Sequence, residues 1–188
     1  EVKYWVSLYI KHMYKKIIVY DLINKFSYNN LKKVPQLKKI VLNFGCKNSE
    51  IKNLAAALIS LELITSNEKI ELTKSKRTNI LIQIRSGHPI GCKVVLKKRK
   101  MYDFFLKLQT EVFPILKEFK GITLNKKINA TSFSFTLKEL ISFKELETNF
   151  YLFNNLPPLN INIITNTKTE KELIYLINSF KIILNKKQ

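Results

Sequence analysis

The sequence predicts an α+β fold in a single domain, and three observations carry that expectation. Apolar residues recur at three- and four-residue steps in several stretches, the period of an amphipathic helix. Between them lie short runs rich in β-branched residues and bounded by Gly, Pro or Asn, which suit strands of an antiparallel sheet. The length, 188 residues, falls within the roughly 100–200 that one domain usually occupies and is enough to bury a core. Apolar residues make up 46% and charged residues 25%, with only 4 Gly and 5 Pro, which excludes collagen-like, low-complexity and wholly disordered classes.

Residues 7–26 space Leu8, Met13, Ile17, Ile18, Leu22 and Phe26 between Lys11, Lys15, Lys16 and Lys25, which predicts an amphipathic helix with a basic outer face. It is expected to stop at Ser27-Tyr28-Asn29-Asn30. Val34-Pro35 biases the backbone to extended geometry, and Lys38 to Phe44 then reads as a strand ending at Gly45. Ser49-Glu50 in capping positions precedes Ile51, Leu54, Ala55, Leu58, Ile59, Leu61 and Leu63, a packed core helix. An antiparallel meander is expected from Ile70 to Thr73, Ile80 to Arg85 and Cys92 to Lys97. In its second turn Gly87 and Gly91 would allow positive φ and Pro89 would fix the bend. A helix is expected from Lys100 to Phe119, bent or split at Pro114 and ended by Gly121. Its aromatics Phe104, Phe105, Phe113 and Phe119 fall at helical spacing, which favours core packing over base stacking. Residues 122–150 read as irregular apart from a short strand around Phe133-Ser134-Phe135. Asn160 to Thr165 alternates as a strand, and Thr169-Glu170-Lys171-Glu172 resembles a capping box opening a last helix through Leu173, Leu176, Ile177 and Phe180.

Lys and Arg number 33 against 14 Asp and Glu, a formal charge of +19 at pH 7. So large a charge repels itself unless a polyanion is near, so nucleic acid is the leading partner. The excess is uneven: residues 1–100 carry 21 basic and 6 acidic side chains, residues 101–188 carry 12 and 8. The first half is therefore the expected partner-facing half. The longest uncharged stretch, Thr148 to Thr167, contains Pro157-Pro158 and repeated Asn; a spanning helix needs about 20 mainly apolar residues, so no membrane span is expected. Cys46 and Cys92 form no CxxC and have no His at ligand spacing, which favours reduced thiols over a metal site or a disulfide framework.

The densest basic cluster is Thr73-Lys74-Ser75-Lys76-Arg77-Thr78, with Arg85 and Lys97-Lys98-Arg99-Lys100 on neighbouring elements and no acid between Glu71 and Asp103. A solvated loop would mix signs. Donors of one sign beyond a sheet suit phosphate contacts, each of which releases condensed counterions. The segment from Gly87 to Lys93 lacks the spacing and the Ser/Thr of a P-loop, so a nucleotide site is not expected. His12 and His88 are the only histidines, no Ser/His/Asp or Cys/His pattern is present, and Asp21 and Asp103 fall on helix surfaces. No catalytic residue, metal or cofactor is expected.

Two segments carry a resemblance to a known family. Val34-Pro35-Gln36-Leu37-Lys38-Lys39-Ile40-Val41-Leu42-Asn43-Phe44-Gly45 is similar to one strand of large-subunit ribosomal protein five, the universal 5S-rRNA-binding family of the central protuberance. Thr73-Lys74, Ile84-Arg85, Gly87 and Pro89-Ile90-Gly91-Cys92-Lys93-Val94 are similar to that family's most specific segment. Weaker similarity runs through Met101-Tyr102-Asp103-Phe104-Phe105, Phe119-Lys120-Gly121, Phe133-Ser134 and Asn160-Ile161-Asn162-Ile163. Residues 1–9 read as an N-terminal extension without a counterpart, and 10–188 as the single ribosomal-protein domain.

The resemblance implies a twisted antiparallel sheet packed against helices and seated on 5S rRNA, where the ribosome has one, and on large-subunit rRNA. Carried over by position, Asn43, Gly45, Thr73, Lys74, Arg85 and Lys93 would lie on or beside the rRNA-binding face. Lys38 in the first segment and Lys97 and Arg99 in the basic run join them as rRNA contacts. The family's loop between its central strands reaches the elbow of the P-site tRNA. Here that loop, 74–82, offers Lys76, Arg77, Thr78, Asn79, Ile80 and Leu81, with Thr78-Asn79-Ile80-Leu81-Ile82 replacing a small glycine-containing tip. The implied role is structural, in translation, without a cofactor, beside neighbouring large-subunit proteins and not as a homo-oligomer. Thirty Lys against three Arg, with many Ile and Asn, suggest AT-rich coding and hence the mitochondrial matrix, with plastid or bacterial cytoplasm as alternatives. The competing reading, an RNA-modifying enzyme or a non-ribosomal RNA-binding protein, lacks the cofactor loop or paired acid and base that such an enzyme needs.

Overall fold

The computed structural model describes residues 9–46, 51–66, 68–78, 80, 84–116, 121–124, 129–182 and 184–186. Helical residues 9–13 lead into a π turn, Tyr14–Ile18, and then helix α1, Val19–Phe26. The buried side chains there are Ile10, Tyr14, Ile18 and Leu22, at steps of four. On a regular α-helix each such step drifts by about 40°; the wider π turn takes up that drift and keeps the four residues in one line. Ser27 closes the helix in the left-handed region at φ 50°, its N–H donating to Ile23 O, a helix stop that satisfies one of the orphaned carbonyls.

Strand β1, Leu37–Gly45, is followed by α2, Ile51–Thr65, then β2, Ile70–Lys74, and β3, Pro89–Lys97. Helix α3, Lys98–Lys107, continues through a π turn, Leu108–Val112, into the short α4, Phe113–Ile115. After β4, Ile122–Leu124, and β5, Ser132–Leu137, come α5, Lys144–Glu147, and α6, Phe150–Phe153; β6, Leu159–Thr165, α7, Glu170–Ser179, and β7, Leu184–Lys186, complete the order. Five strands form an antiparallel sheet in the order β2-β3-β1-β6-β5. Strands β4 and β7 form a separate parallel pair. No helix among the described residues is long and apolar enough to cross a membrane.

The chain folds as two compact units. The first comprises residues 1–40, 97–135 and 162–188. Its core holds the buried line of the N-terminal helix, Met101, Phe104, Phe105 and Leu108 of the α3 stretch, and Leu173, Leu176 and Phe180. Phe180 stacks on Tyr14 with centroids 6.2 Å apart and meets Phe105 edge-on at 5.1 Å. The Tyr14 hydroxyl donates to Pro35 O at 2.8 Å, so burying the phenol leaves no orphaned donor. Asn166 ties the approach to β1: its Oδ1 accepts from Gln36 N–H and its Nδ2 donates to Val34 O. Thr169 and Glu172 form the expected capping box of α7. The second unit comprises residues 41–96 and 136–161 and buries Leu42, Phe44, Leu61, Cys92, Val94, Leu96, Phe143, Leu146, Leu159 and Ile161.

Four sequence expectations are corrected. The meander does not form, because β2 pairs directly with β3. Ile80 lies in an exposed turn and Ile84 in an isolated bridge, while residues 81–83 fall outside the described set. Gly91 has no positive φ and lies inside β3, of which Pro89 is the first residue; only Gly87 shows the expected backbone, at φ +87°. The helix expected to reach Phe119 ends at Ile115, and Leu116 is already extended. Residues 117–120, with Phe119, lie outside the described set. The stretch 122–150 holds the short strand expected around Phe133-Ser134-Phe135 as β5, but it is not otherwise irregular: it also holds β4, α5 and the start of α6, elements too short for periodicity to reveal.

Candidate nucleic-acid interface

The second unit brings six of the sequence-selected residues to one end of its strands. Along β3, Cys92, Val94 and Leu96 are buried while Lys93 and Val95 are only half so; along β1, Leu42 and Phe44 are buried while Asn43 is half-buried and Gly45 exposed. Strand alternation therefore sends Lys93 and Asn43 to the face away from the core. Thr73 pairs with Gly91, and Glu71 with Lys93. The register then skips Ile90, a β-bulge that turns the strand as it enters the loop. The Ile90 carbonyl accepts from Cys46 N–H at 2.9 Å, so the end of β1 stays fastened to the start of β3.

Gly91 is what permits this junction. A Cβ on it would lie 2.2 Å from the Phe44 carbonyl oxygen and 2.8 Å from Thr73 Oγ1, both closer than van der Waals contact allows. Beyond it, the two ends of the 75–88 connection are joined at a neck. Ser75 N–H donates to His88 O at 2.8 Å and Gly87 N–H to Ser75 O at 2.9 Å. His88 N–H reaches Arg85 O at 3.2 Å, a β-turn whose third residue, Gly87, supplies the positive φ of a type II turn. Ser75 Oγ donates to Arg77 O, and Thr78 Oγ1 accepts from Ser86 N–H.

Around this neck Lys74, Lys76, Arg77 and Arg85 are exposed. Thr78 is exposed, and Ile80 is 88% exposed; Asn79 and Leu81 lie outside the described residues. Lys93 is the exception among the cations, since its Nζ lies 3.0 Å from Glu71 Oε2. The Lys93 ammonium, by hydrogen bond and charge, holds the Glu71 carboxyl below its ordinary range. Sequence reasoning missed this pair because it depends on strand register. It also missed Ser75 and Thr78 as fasteners of the neck, for which Ser and Thr in a turn were the available signal. Lys38, Lys97 and Arg99 belong to the first unit. Lys38 and Lys97 are exposed at the ends of their strands, and Arg99 Nε lies 3.8 Å from Asp103 Oδ2 one helical turn on.

Among the described residues of this arrangement neither cysteine is poised for bond-making chemistry. Burial pushes the Cys92 thiol up to about 12 and raises Cys46 as well, so neither is a ready thiolate. Among the described residues no three His, Cys, Asp or Glu gather as a metal site. What the site offers is cations and backbone at the rim of a hydrogen-bonded turn.

Residues 89–184 match the family model for the C-terminus of the ribosomal L5 family, beginning at the first residue of β3. Large ribosomal subunit protein uL5m of Reclinomonas americana is 39% identical over 180 residues, covering 95% of this chain and 98% of its own length. The chain belongs to the ribosomal L5 family. Large ribosomal subunit protein uL5 of Desulforapulum autotrophicum is 38% identical over 173 residues, with 91% of this chain and 95% of the relative covered. The uL5 protein of Blochmanniella floridana is 32% identical over 177 residues, with 93% and 92% covered. As an L5-family member the protein is a structural constituent of the large ribosomal subunit, in a family that binds rRNA in translation, and not an enzyme.

Proposed function

We propose that this chain seats on 5S rRNA in the central protuberance through Asn43, Gly45, Thr73, Lys74, Arg85 and Lys93. Lys38, Lys97 and Arg99 are further rRNA contacts, and the 74–82 loop meets the P-site tRNA. The observation that carries this reading is the acid-free rim of Lys74, Lys76, Arg77 and Arg85 around a hydrogen-bonded neck, beside an exposed Gly45. A Cβ at Gly45 would meet nothing within 4 Å and its φ is ordinary. Nothing among the described residues requires glycine there, whereas a close-approaching RNA backbone would. Lys and Arg supply affinity through phosphates, and Asn43 with the strand-end backbone supplies position. A neck already fastened loses little conformational freedom on binding.

The protein works as one copy among neighbouring large-subunit proteins, with residues 1–9 extending the domain 10–188. Its compartment is the mitochondrial matrix, supported by the similarity to a uL5m and by the Lys-over-Arg bias. Sedimentation of native lysate in a magnesium-containing gradient tests the ribosomal seat and the 5S contact. Co-migration with the large subunit and a 5S-sized RNA is expected. Recovery only in light fractions would overturn the ribosomal seat, and co-migration without such an RNA would overturn the 5S contact.

A further inference from the structure

The N-terminal helix carries a second surface that the rim does not use. Its buried line, Ile10, Tyr14, Ile18 and Leu22, recurs every fourth residue. Residues two further on lie about 200° around the helix, and His12, Lys16, Tyr20 and Asn24 are all exposed. The same π turn that aligns the buried line therefore aligns this outward one. Lys11, Lys15 and Tyr9 flank it and are exposed too. Tyr20 and Tyr9 leave 63% and 61% of their surface to solvent. Lys25 is already engaged over the Tyr175 ring, 4.0 Å from its centroid.

We propose that this face is a second RNA-docking surface, in which Lys11, Lys15 and Lys16 bind backbone phosphates and Tyr20 stacks on an unpaired base of large-subunit rRNA. The proposal rests on the ribosomal seat above and adds to it a contact made by the first unit. Residues 9–33 carry six Lys against a single acid, Asp21, so the face is complementary to a polyanion. Aromatic rings interleaved with cations are the pattern by which unpaired nucleotides are held, phosphate to ammonium and base to ring. A lipid surface would need the apolar side of the helix, and that side is buried within the first unit.

The test uses the full chain and RNA extracted from the large subunit, with affinity measured by filter binding across a salt series. Two variants are compared, the triple Lys11→Gln, Lys15→Gln, Lys16→Gln and the single Tyr20→Ala. All four side chains are exposed, so both variants should melt with the wild type. The triple variant should lose about two units of log–log salt slope. Tyr20→Ala should weaken binding about tenfold at fixed salt with the slope kept. If the triple variant keeps the wild-type slope while Lys76→Ala with Arg77→Ala reduces it, the helix face is not an RNA surface and the ribosomal reading stands. Failure of the wild-type chain to bind the RNA would instead remove that reading and this one together. Loss of co-sedimentation with phosphatidylcholine–phosphatidylglycerol vesicles, with RNA binding unaltered, would assign the face to membrane and overturn the proposal.

Discussion

The strand junction at Gly91 and the basic rim around the loop neck lie within one unit, yet they are specified in opposite ways. At the junction the backbone itself is the constraint: the Phe44 carbonyl occupies the space a side chain at position 91 would need. At the rim the backbone is fastened by hydrogen bonds, and the side chains Lys74, Lys76, Arg77 and Arg85 project into solvent. The junction therefore tolerates one residue type, whereas the rim tolerates any residue of the right sign. Substitutions at the first should appear in stability and at the second in salt dependence.

Gly91→Ala is the severest break of that contrast. Separating β1 from β3 by the missing space should cost about 3 kcal/mol, read as a fall in Tm of roughly 10 °C. A wild-type Tm would mean that the two strands do not approach as closely as described. Gly87→Ala is the milder form, because a Cβ there meets nothing and only the positive φ is penalised. Its expected cost is about 1 kcal/mol, measured by denaturant titration. Gly45→Ala should cost least of the three and weaken RNA binding instead.

Lys76→Ala with Arg77→Ala should leave Tm within about 2 °C while lowering the salt slope of RNA affinity by about one to two units. An unchanged slope would place the rim away from nucleic acid. The smallest effect sharpens the comparison from the other side. Lys93 is shared with Glu71 across the strand pair, so Glu71→Gln should free its charge and steepen the slope by less than about one unit. Because Lys93 holds the Glu71 carboxyl low, the wild type should acquire this steeper slope only as pH falls through that lowered range. The variant should show it at every pH.

Local chemistry was legible in the sequence, and register was not. The α7 capping box, the stop at Ser27, the positive φ of Gly87 and the basic rim each follow from residues within a few positions of one another. The Glu71–Lys93 pair and the Gly91–Phe44 approach join residues that only strand alignment brings together. The run from Ile80 to Arg85 was misplaced as the middle strand of a meander because β-branched composition does not say which strands pair. Here β3 has β2 and β1 as its two neighbours, which leaves no place for a strand between β2 and β3. Helices α5 and α6, four residues each, span barely one turn and leave no period to detect. Strands β4 and β7 pair in parallel between residues 62 positions apart, and their three-residue lengths give no alternation.

The π turn at Tyr14–Ile18 also gives the N-terminal helix some slack in length. A π turn holds one residue more than the α turn it replaces. Removing an exposed residue from it, such as Ile17, would let the segment relax to a regular helix without rotating either flank. The same deletion inside α1 would turn everything before it by about 100° and drive Lys or Tyr toward the core. The helix is thus expected to accept a single-residue change of length at one place along its course and to refuse it elsewhere.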